Sequence, residues 1–222
     1  MKCFSLFLLI FIALFLSLEC SKDKSTITSY ETHNPPDSIA VRKPNIYIYP
    51  VEQINLKVEI SFPFGGRIIT SEPTYTSSGW EITVDTTGLI NNAYQYLFYE
   101  CKIPNHFQTS EGWNVSQKNL DVFFKESLNQ FGLNEEEIQD FQEYWLPQLT
   151  DFEYYLIFPQ KMEIINKLIG LHVSIEPQNL QRIFYLFEGT NKSTDVKMIP
   201  PQYNTIDRSG YTIIEWGGII HD

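Results

Sequence analysis

The chain has 222 residues and a formal net charge of −11, and hydrophobic residues make up 43% of it. Nucleic-acid binding depends on Lys and Arg neutralising phosphates, so an acidic chain with no basic patch is not expected to bind nucleic acid. The same composition argues against direct docking on anionic lipid headgroups. Beyond the N-terminal region about 180 residues remain, enough for one domain with a sizeable core.

The N-terminus has the pattern of an export signal. Lys2 precedes an apolar run over residues 4–18, which is shorter than the roughly 20 residues that a membrane-spanning helix needs. The end of the run resembles the bacterial lipoprotein box, in which an apolar stretch and small residues precede an acylated cysteine. Residues 16–18 fit this pattern and Cys20 stands at the acylated position, whereas Glu19 stands where that family prefers a small residue.

The cysteines leave two arrangements open. Cys3 would be removed with the signal peptide, and a lipid on Cys20 would leave Cys101 as a lone thiol. Without the lipid, Cys20 and Cys101 could form a disulfide in an oxidising compartment. The lipid arrangement is favoured, because Cys20 begins a polar stretch that is a poor place for a structural disulfide.

Residues 21–38 are rich in Ser, Thr, Lys, Asp, Asn and Pro. Such a stretch buries too little apolar surface to offset the entropy lost on ordering. The predicted organisation is a signal peptide over 1–20, a disordered tether over 21–42 and a single globular domain over 43–220. We expect a protein anchored to the membrane of the cell envelope by lipid on Cys20, or alternatively a secreted one.

The first half of the domain alternates between apolar and polar residues. Residues 54–62 show this period, which is typical of a strand with one buried face. Gly65 and Gly66 then supply a turn and the chain returns, so residues 54–71 are predicted to form a β-hairpin. Two further strands are predicted at 80–85 and 94–102.

The middle of the chain changes to a helical period. Apolar residues recur at helical spacing up to Phe131, and Gly132 follows as a C-terminal stop. Asn134 is predicted to cap a second helix, whose first turn, residues 135–137, carries the negative charge that a helix N-terminus favours. The predicted buried stripe of this second helix consists of Ile138, Phe141, Trp145 and Leu149.

The last part returns to strands. Predicted elements are a strand at 154–158, a short helix at 162–170, and three strands at 171–176, 182–189 and 211–216. Strands that surround a central helical pair indicate an α+β fold, with mainly antiparallel β-sheets and a central helical hairpin.

Sequence motifs give no strong catalytic signature. The chain has no phosphate-binding glycine loop, no G-x-S-x-G elbow and no C-x-x-C pair. Its four histidines are isolated, without metal-ligand spacing such as H-x-x-x-H. We therefore expect neither a metal site nor a cofactor.

Three carboxylates lie at or near the ends of apolar strands, namely Glu100, Glu188 and Glu215. Glycoside hydrolases need two carboxyl groups on opposite sides of the scissile bond, and a carboxylate beside aromatic rings can act as an acid if its pKa is raised. Strand ends are also where charged side chains return to water. The catalytic candidates are Glu100 and Glu215.

Aromatic residues make up 15% of the chain. Tyr combines a flat apolar ring with a polar tip, which suits the recognition of glycans or peptides. The candidate ligand-binding residues are Tyr47, Tyr49, Tyr94, Tyr96 and Trp216. For Trp216 the alternative is packing in the core at a strand end, with Gly217 and Gly218 forming the exit turn.

Several segments occur in an order that resembles a family of uncharacterised bacterial secreted and lipid-anchored proteins. The segments are "KPNIYIYP" (43–50), "GWEITV" (79–84), "YQYLFYE" (94–100), "GLNEEEIQDFQEYWLP" (132–147), "YYLIFP" (154–159) and "IIEWGG" (213–218). Ile48 and Tyr99 stand where the family has Leu and Trp. The resemblance implies an envelope location and the extent of the domain, and it supplies no catalytic residues.

Two functions follow as hypotheses. The first is an envelope-associated or secreted binding or structural module, with a glycan or a peptide as the ligand class. The alternative is a hydrolase that acts on extracellular or envelope polymers through strand-end carboxylates. Two carboxyl groups in one cleft would favour the hydrolase, and an exposed aromatic strip without them would favour binding.

Overall fold

The computed structural model describes residues 38–192, 199 and 201–221. The predicted signal peptide, the lipidation candidate Cys20 and most of the predicted tether lie outside these residues. Within the described part of the chain, no helix is long and apolar enough to cross a membrane.

Ten strands and three α-helices make up the described chain. The strands are β1 Ser38–Tyr49, β2 Ile54–Ser61, β3 Arg67–Glu72, β4 Trp80–Val84, β5 Leu97–Pro104, β6 Trp113–Ser116, β7 Tyr154–Gln160, β8 Gly170–Val173, β9 Asn179–Thr190 and β10 Thr212–His221. The helices are α1 Leu120–Gln130, α2 Glu135–Trp145 and α3 Met162–Leu168.

The strands form two sheets. The larger has seven strands in the order β3-β5-β1-β10-β9-β7-β6, and the smaller has three in the order β4-β2-β8. The pairing of β9 with β10 is parallel, and the other pairings between these strands are antiparallel. The α+β prediction, with mainly antiparallel sheets and a helical pair, is confirmed.

The larger sheet separates two apolar cores. Its strands alternate, so neighbouring residues of β10 enter different cores: Ile214 and Trp216 lie on one side, Ile213 and Ile219 on the other. Helices α1 and α2 pack on the first side, which we call the helix side. The smaller sheet and α3 pack on the second, which we call the sheet side.

Residues 54–71 do not form the predicted hairpin. Strand β2 belongs to the smaller sheet, where it pairs with β4 and β8, and β3 belongs to the larger sheet, where it pairs with β5. Gly65 and Gly66 do take positive φ values of 86° and 145°, but their turn carries the chain from one sheet to the other. Both strands were predicted, β2 from its alternation and β3 from the turn before it, but neither signal specified their partners.

Strand β1 was not predicted from the sequence, although it is a long strand. It begins at Ser38, inside the segment predicted as tether, and lies between β5 and β10 near the middle of the larger sheet. Pro44 lacks the N–H that a central strand normally donates, and the strand accommodates it with a bulge: the register shifts between Arg42 and Asn45. Lys43, inside the bulge, has a φ of 54°. The four-residue strand β6 was also not predicted.

The helical hairpin forms as predicted. Helix α1 is followed by Gly132 with a φ of 87°, and Asn134 and Glu137 form a reciprocal capping box at the start of α2. Trp145 ends α2, and Pro147 lies in the 3-10 turn that follows. All four residues of the predicted stripe are buried, namely Ile138, Phe141, Trp145 and Leu149.

The two glycines of "IIEWGG" make no exit turn, because β10 continues through them to His221. A Cβ on Gly218 would lie 2.3 Å from Cζ2 of Trp145, so the bare backbone at this position admits the indole ring of α2. Trp216 is fully buried in the helix-side core. The core-packing alternative for Trp216 is confirmed, and the glycine at 218 serves helix-to-sheet packing.

Candidate functional site

Glu215 lies in the interior and not at a rim. Its side chain is fully buried on the sheet side, where Tyr99 Oη donates a 2.7 Å hydrogen bond to Oε1 and Arg182 Nε pairs with Oε2. Burial lowers the pKa of Arg182, but Glu215 and Tyr99 more than offset this and hold it above its ordinary value. Arg182 also donates to Asn166 and to the carbonyl of Ile169. This network joins β5, β9, β10 and α3, and a substrate could reach it only if the core opened.

Glu100 lies on the opposite face of the sheet. It follows Tyr99 in β5, so its side chain points to the helix side, where burial and its carboxylate raise the pKa of Tyr144 of α2. The sheet therefore stands between Glu100 and Glu215. The structure does not bring this candidate catalytic pair together.

Four of the five candidate aromatic residues form one group on the helix side. The ring of Tyr47 lies 6.4 Å from Tyr49, 5.1 Å from Tyr96 and 6.4 Å from Trp216. Tyr47 is only 2% exposed and Trp216 is 0% exposed. Tyr94 lies apart, packed against the sheet-side core. These rings mainly fill the interior and do not form an exposed aromatic strip.

The hydroxyls of Tyr47 and Tyr49 tie β1 to α2. Tyr47 Oη donates to Asp140 Oδ2 at 2.6 Å, and Tyr49 Oη donates to Glu137 Oε1 at 2.8 Å. Arg208 pairs with both carboxylate oxygens of Glu137, at 2.8 and 2.9 Å. Burial, and then the neighbouring carboxylates, raise the pKa values of both tyrosines. The hydrogen bonds to Asp140 and Glu137 thus hold the rings of Tyr47 and Tyr49 in place.

A small cleft of about 160 Å³ lies beside these two rings. Its other lining residues include Thr87, Gln95 and Glu136. Typical small-molecule sites enclose about 300–1,000 Å³. This cleft is therefore too small to be the main candidate.

A larger cleft lies where β9 and β10 end, and we call it the end cleft. It has a volume of about 420 Å³ and is lined by Arg42, Gln148, Leu149, Asp151, Phe152, Tyr155, Glu188, Gly189, Ile220 and His221. Strand ends, the bulge of β1 and the loop between α2 and β7 contribute these residues. Grooves of about 700 and 660 Å³ elsewhere on the surface are more open to solvent, so the end cleft encloses a ligand better.

The wall formed by the α2–β7 loop is fixed by internal contacts. Tyr155 Oη accepts hydrogen bonds from the backbone N–H groups of Asp151 and Phe152, at 3.1 and 3.3 Å. The ring of Phe152 packs against Gly189, where a Cβ would lie 2.0 Å from Cδ2 of the ring. The loop thus keeps its place without a bound ligand, as expected for a largely preformed site.

Residues of both charge signs line the end cleft. His221 Nδ1 lies 3.9 Å from Glu188 Oε2, across the parallel pair β9–β10. Asp151 adds a second carboxylate and Arg42 a guanidinium, which is a planar donor suited to bidentate binding of a carboxylate. The apolar part of the lining includes Leu149 and Ile220. This arrangement can bind a ligand that carries an anionic and a cationic group on an apolar body.

Sequence reasoning identified Glu188 as a strand-end carboxylate but did not find its neighbours. Arg42 fell within the predicted tether, and His221 lay just beyond the predicted domain. No sequence pattern singled out Asp151. A proline between two short apolar runs, residues 39–41 and 46–49, was the available signal for the bulge that brings Arg42 here.

No group of three or more His, Cys, Asp and Glu side chains that could hold a metal ion occurs among residues 38–192, 199 and 201–221. Comparison with protein-family profiles, with curated protein sequences and with solved structures gives no match to this chain.

Proposed function

We propose that this chain is an envelope-associated or secreted binding module, and that the end cleft binds a short peptide through its charged termini or side chains. The observation that supports this most strongly is the lining of the end cleft, which combines Arg42, Asp151, Glu188 and His221 with apolar residues. The proposal of an envelope location rests on the export signal, on Cys20 in the lipoprotein-like box and on the resemblance to secreted and lipid-anchored proteins.

The ligand class follows from the chemistry of the end cleft. Glycan sites commonly use an open aromatic ring as a platform, but Tyr47 and Trp216 are turned into the core. A peptide offers a carboxylate for Arg42 and an amine for Asp151 and Glu188, and its side chains can contact the apolar part of the lining. We therefore favour a peptide over a neutral glycan.

The proposal is tested by calorimetric titration with a panel of short peptides, each paired with its C-terminally amidated form. A hydrogen bond to a charged group contributes about 1.5–3 kcal/mol, so amidation and Arg42→Met should each weaken binding about tenfold or more. Lys167→Met, which removes an exposed cation from α3, is the matched control and should bind normally. Equal binding of free and amidated peptides, or undiminished binding by Arg42→Met, would contradict the proposal.

A hydrolase that acts on extracellular or envelope polymers is a second candidate, because two carboxylates, Asp151 and Glu188, share the end cleft with His221. In this form of the hypothesis Glu188 and Asp151 replace Glu100 and Glu215 as the acid–base pair. Incubation with peptides and oligosaccharides, followed by mass spectrometry, tests for turnover. Product formation that disappears in Glu188→Gln supports a hydrolase, and binding without any product supports a binding module.

A further inference from the structure

Lys43 lies among three aromatic rings on the helix side. Its Nζ is 4.5 Å from the ring centroid of Phe98, 5.2 Å from that of Tyr96 and 5.8 Å from that of Tyr144. Attraction between a cation and a ring is significant within about 6 Å of the centroid. We call Tyr96, Phe98 and Tyr144 the ring cage. All three rings and the lysine are partly exposed, so solvent reaches this place.

The ring cage is held by contacts other than those with the lysine. The ring of Tyr96 lies 5.1 Å from that of Tyr47, and Tyr144 meets the buried Trp145 edge-on at 5.0 Å. Phe98 belongs to β5, where it pairs with Asn45 of β1. We therefore expect the rings to keep their positions when the lysine side chain moves out.

Lys43 is a weakly held occupant of this place. An ammonium group has three N–H donors, and the contact seen is one with Tyr96 Oη at 3.5 Å, the outer limit for a hydrogen bond. Its backbone has a φ of 54°, a region that is sparsely populated for residues other than glycine and is associated with functional sites. A long flexible stem lets the ammonium group return to water, where it is strongly hydrated.

We propose that the ring cage is a binding site for a quaternary ammonium group, which replaces the Lys43 ammonium between the rings. Such a group has no N–H donors and is weakly hydrated, so it loses less on leaving water than the lysine does. Cages of aromatic rings recognise choline-like and methylated cations for this reason. Near Tyr144 the Glu100 carboxylate attracts a permanent cation, and the Arg42 guanidinium partly offsets this attraction.

The test measures binding of choline by calorimetry to the full domain and to variants of it. Asn tolerates positive φ, so Lys43→Asn removes the competing ammonium with little backbone strain. If the lysine occupies the ring cage for nine-tenths of the time, Lys43→Asn should bind choline about tenfold more tightly than the wild-type chain. Phe98→Leu and Tyr144→Leu, introduced into Lys43→Asn, should each weaken binding about tenfold.

Three controls make the result specific. Tyr144→Phe keeps the ring and should bind choline as before, and Lys167→Met, which removes an exposed cation from α3, should also have no effect. The neutral carbon isostere of choline, with a tert-butyl group in place of trimethylammonium, should bind much more weakly. Absence of choline binding by folded Lys43→Asn, equal binding of the carbon isostere, or indifference to loss of the rings would each overturn the proposal.

The source of the ammonium group is resolved by a second set of measurements. Vesicles of phosphatidylcholine are compared with vesicles of phosphatidylglycerol, and free phosphocholine is titrated separately. Sedimentation with phosphatidylcholine vesicles that depends on Phe98 supports a lipid headgroup as ligand. Binding of free phosphocholine alone supports a soluble ligand, and binding in neither arm would contradict the proposal.

Discussion

Replacement of Gly218 by Ala tests the contact between α2 and the larger sheet. The added Cβ would lie 2.3, 2.7 and 2.8 Å from Cζ2, Cε2 and Cη2 of Trp145. The indole has no room to retreat, since it is 0% exposed and its ring lies 4.9 Å from that of Phe187. Overpacking of a core by one methyl group costs about 1–3 kcal/mol. Alanine offsets part of this, about 0.5–1 kcal/mol, because glycine loses more backbone entropy in a strand.

Gly217 is the matched control, because it neighbours Gly218 in the same strand and faces the other side of the sheet. A Cβ there would lie 3.3 Å from the Phe184 ring and from Cα of Pro44, distances that small shifts can relieve. We therefore expect Gly217→Ala to change the free energy of unfolding by less than about 1 kcal/mol. Both variants share the gain in backbone entropy, so Gly218→Ala should be less stable than Gly217→Ala by about 1–3 kcal/mol.

Urea denaturation followed by circular dichroism measures both changes. A double-mutant cycle with Trp145→Phe, which removes part of the obstructing ring, identifies the partner: the cost of Gly218→Ala should shrink by about 0.5–3 kcal/mol in that background. An equal cost for the two glycine variants would refute the packing argument. So would a cost of Gly218→Ala that is the same in the Trp145→Phe background as in the wild-type chain.

The remaining predictions concern the buried ion pair, the tyrosines and the anchor. Glu215→Gln leaves Arg182 buried without a counter-charge and should lower the free energy of unfolding by about 3–5 kcal/mol. The half-exposed Glu59 pairs with Lys57 at the surface, and a cost of Glu215→Gln no larger than that of Glu59→Gln, about 0–1 kcal/mol, would contradict this. Burial raises the pKa of Tyr99 well above its ordinary value and that of Tyr211 to about 12. Above about pH 10 the unfolded chain therefore releases protons that the folded chain keeps. The free energy of unfolding should fall as the pH rises from about 10, and a free energy that does not change with pH in this range would contradict the prediction. Mass spectrometry of the mature N-terminus should find Cys20 acylated, and an unmodified start beyond Cys20 or a retained leader would exclude the anchor.

Local chemistry made the helical hairpin predictable. A helix is stabilised by contacts between residues close in sequence, so the spacing of Ile138, Phe141 and Trp145, the cap at Asn134 and the stop at Gly132 were sufficient. Strand alternation likewise reports burial on one face, and it identified β2 and β4. Both signals depend on neighbours within a few positions along the chain.

Strand partners depend on the whole chain and were not predictable in the same way. The pattern of residues 54–71 is compatible with a hairpin, but β2 and β3 are placed in different sheets. Strand β1 was missed because Pro44 breaks the pattern, and only pairing with β5 and β10 on both sides reveals the bulge.

The sequence by itself determined the α+β class, the helical pair, its caps and the buried stripe, because these follow from interactions between residues near one another. It also identified the residue types that carry chemistry, including Glu100, Glu188 and Glu215. Only the tertiary structure decided which of them are accessible: Glu215 became half of a buried ion pair, and Glu188 came to lie in the end cleft beside His221. The physical reason is that a cleft is made by side chains distant in sequence, whose meeting depends on sheet order, on register and on one bulge.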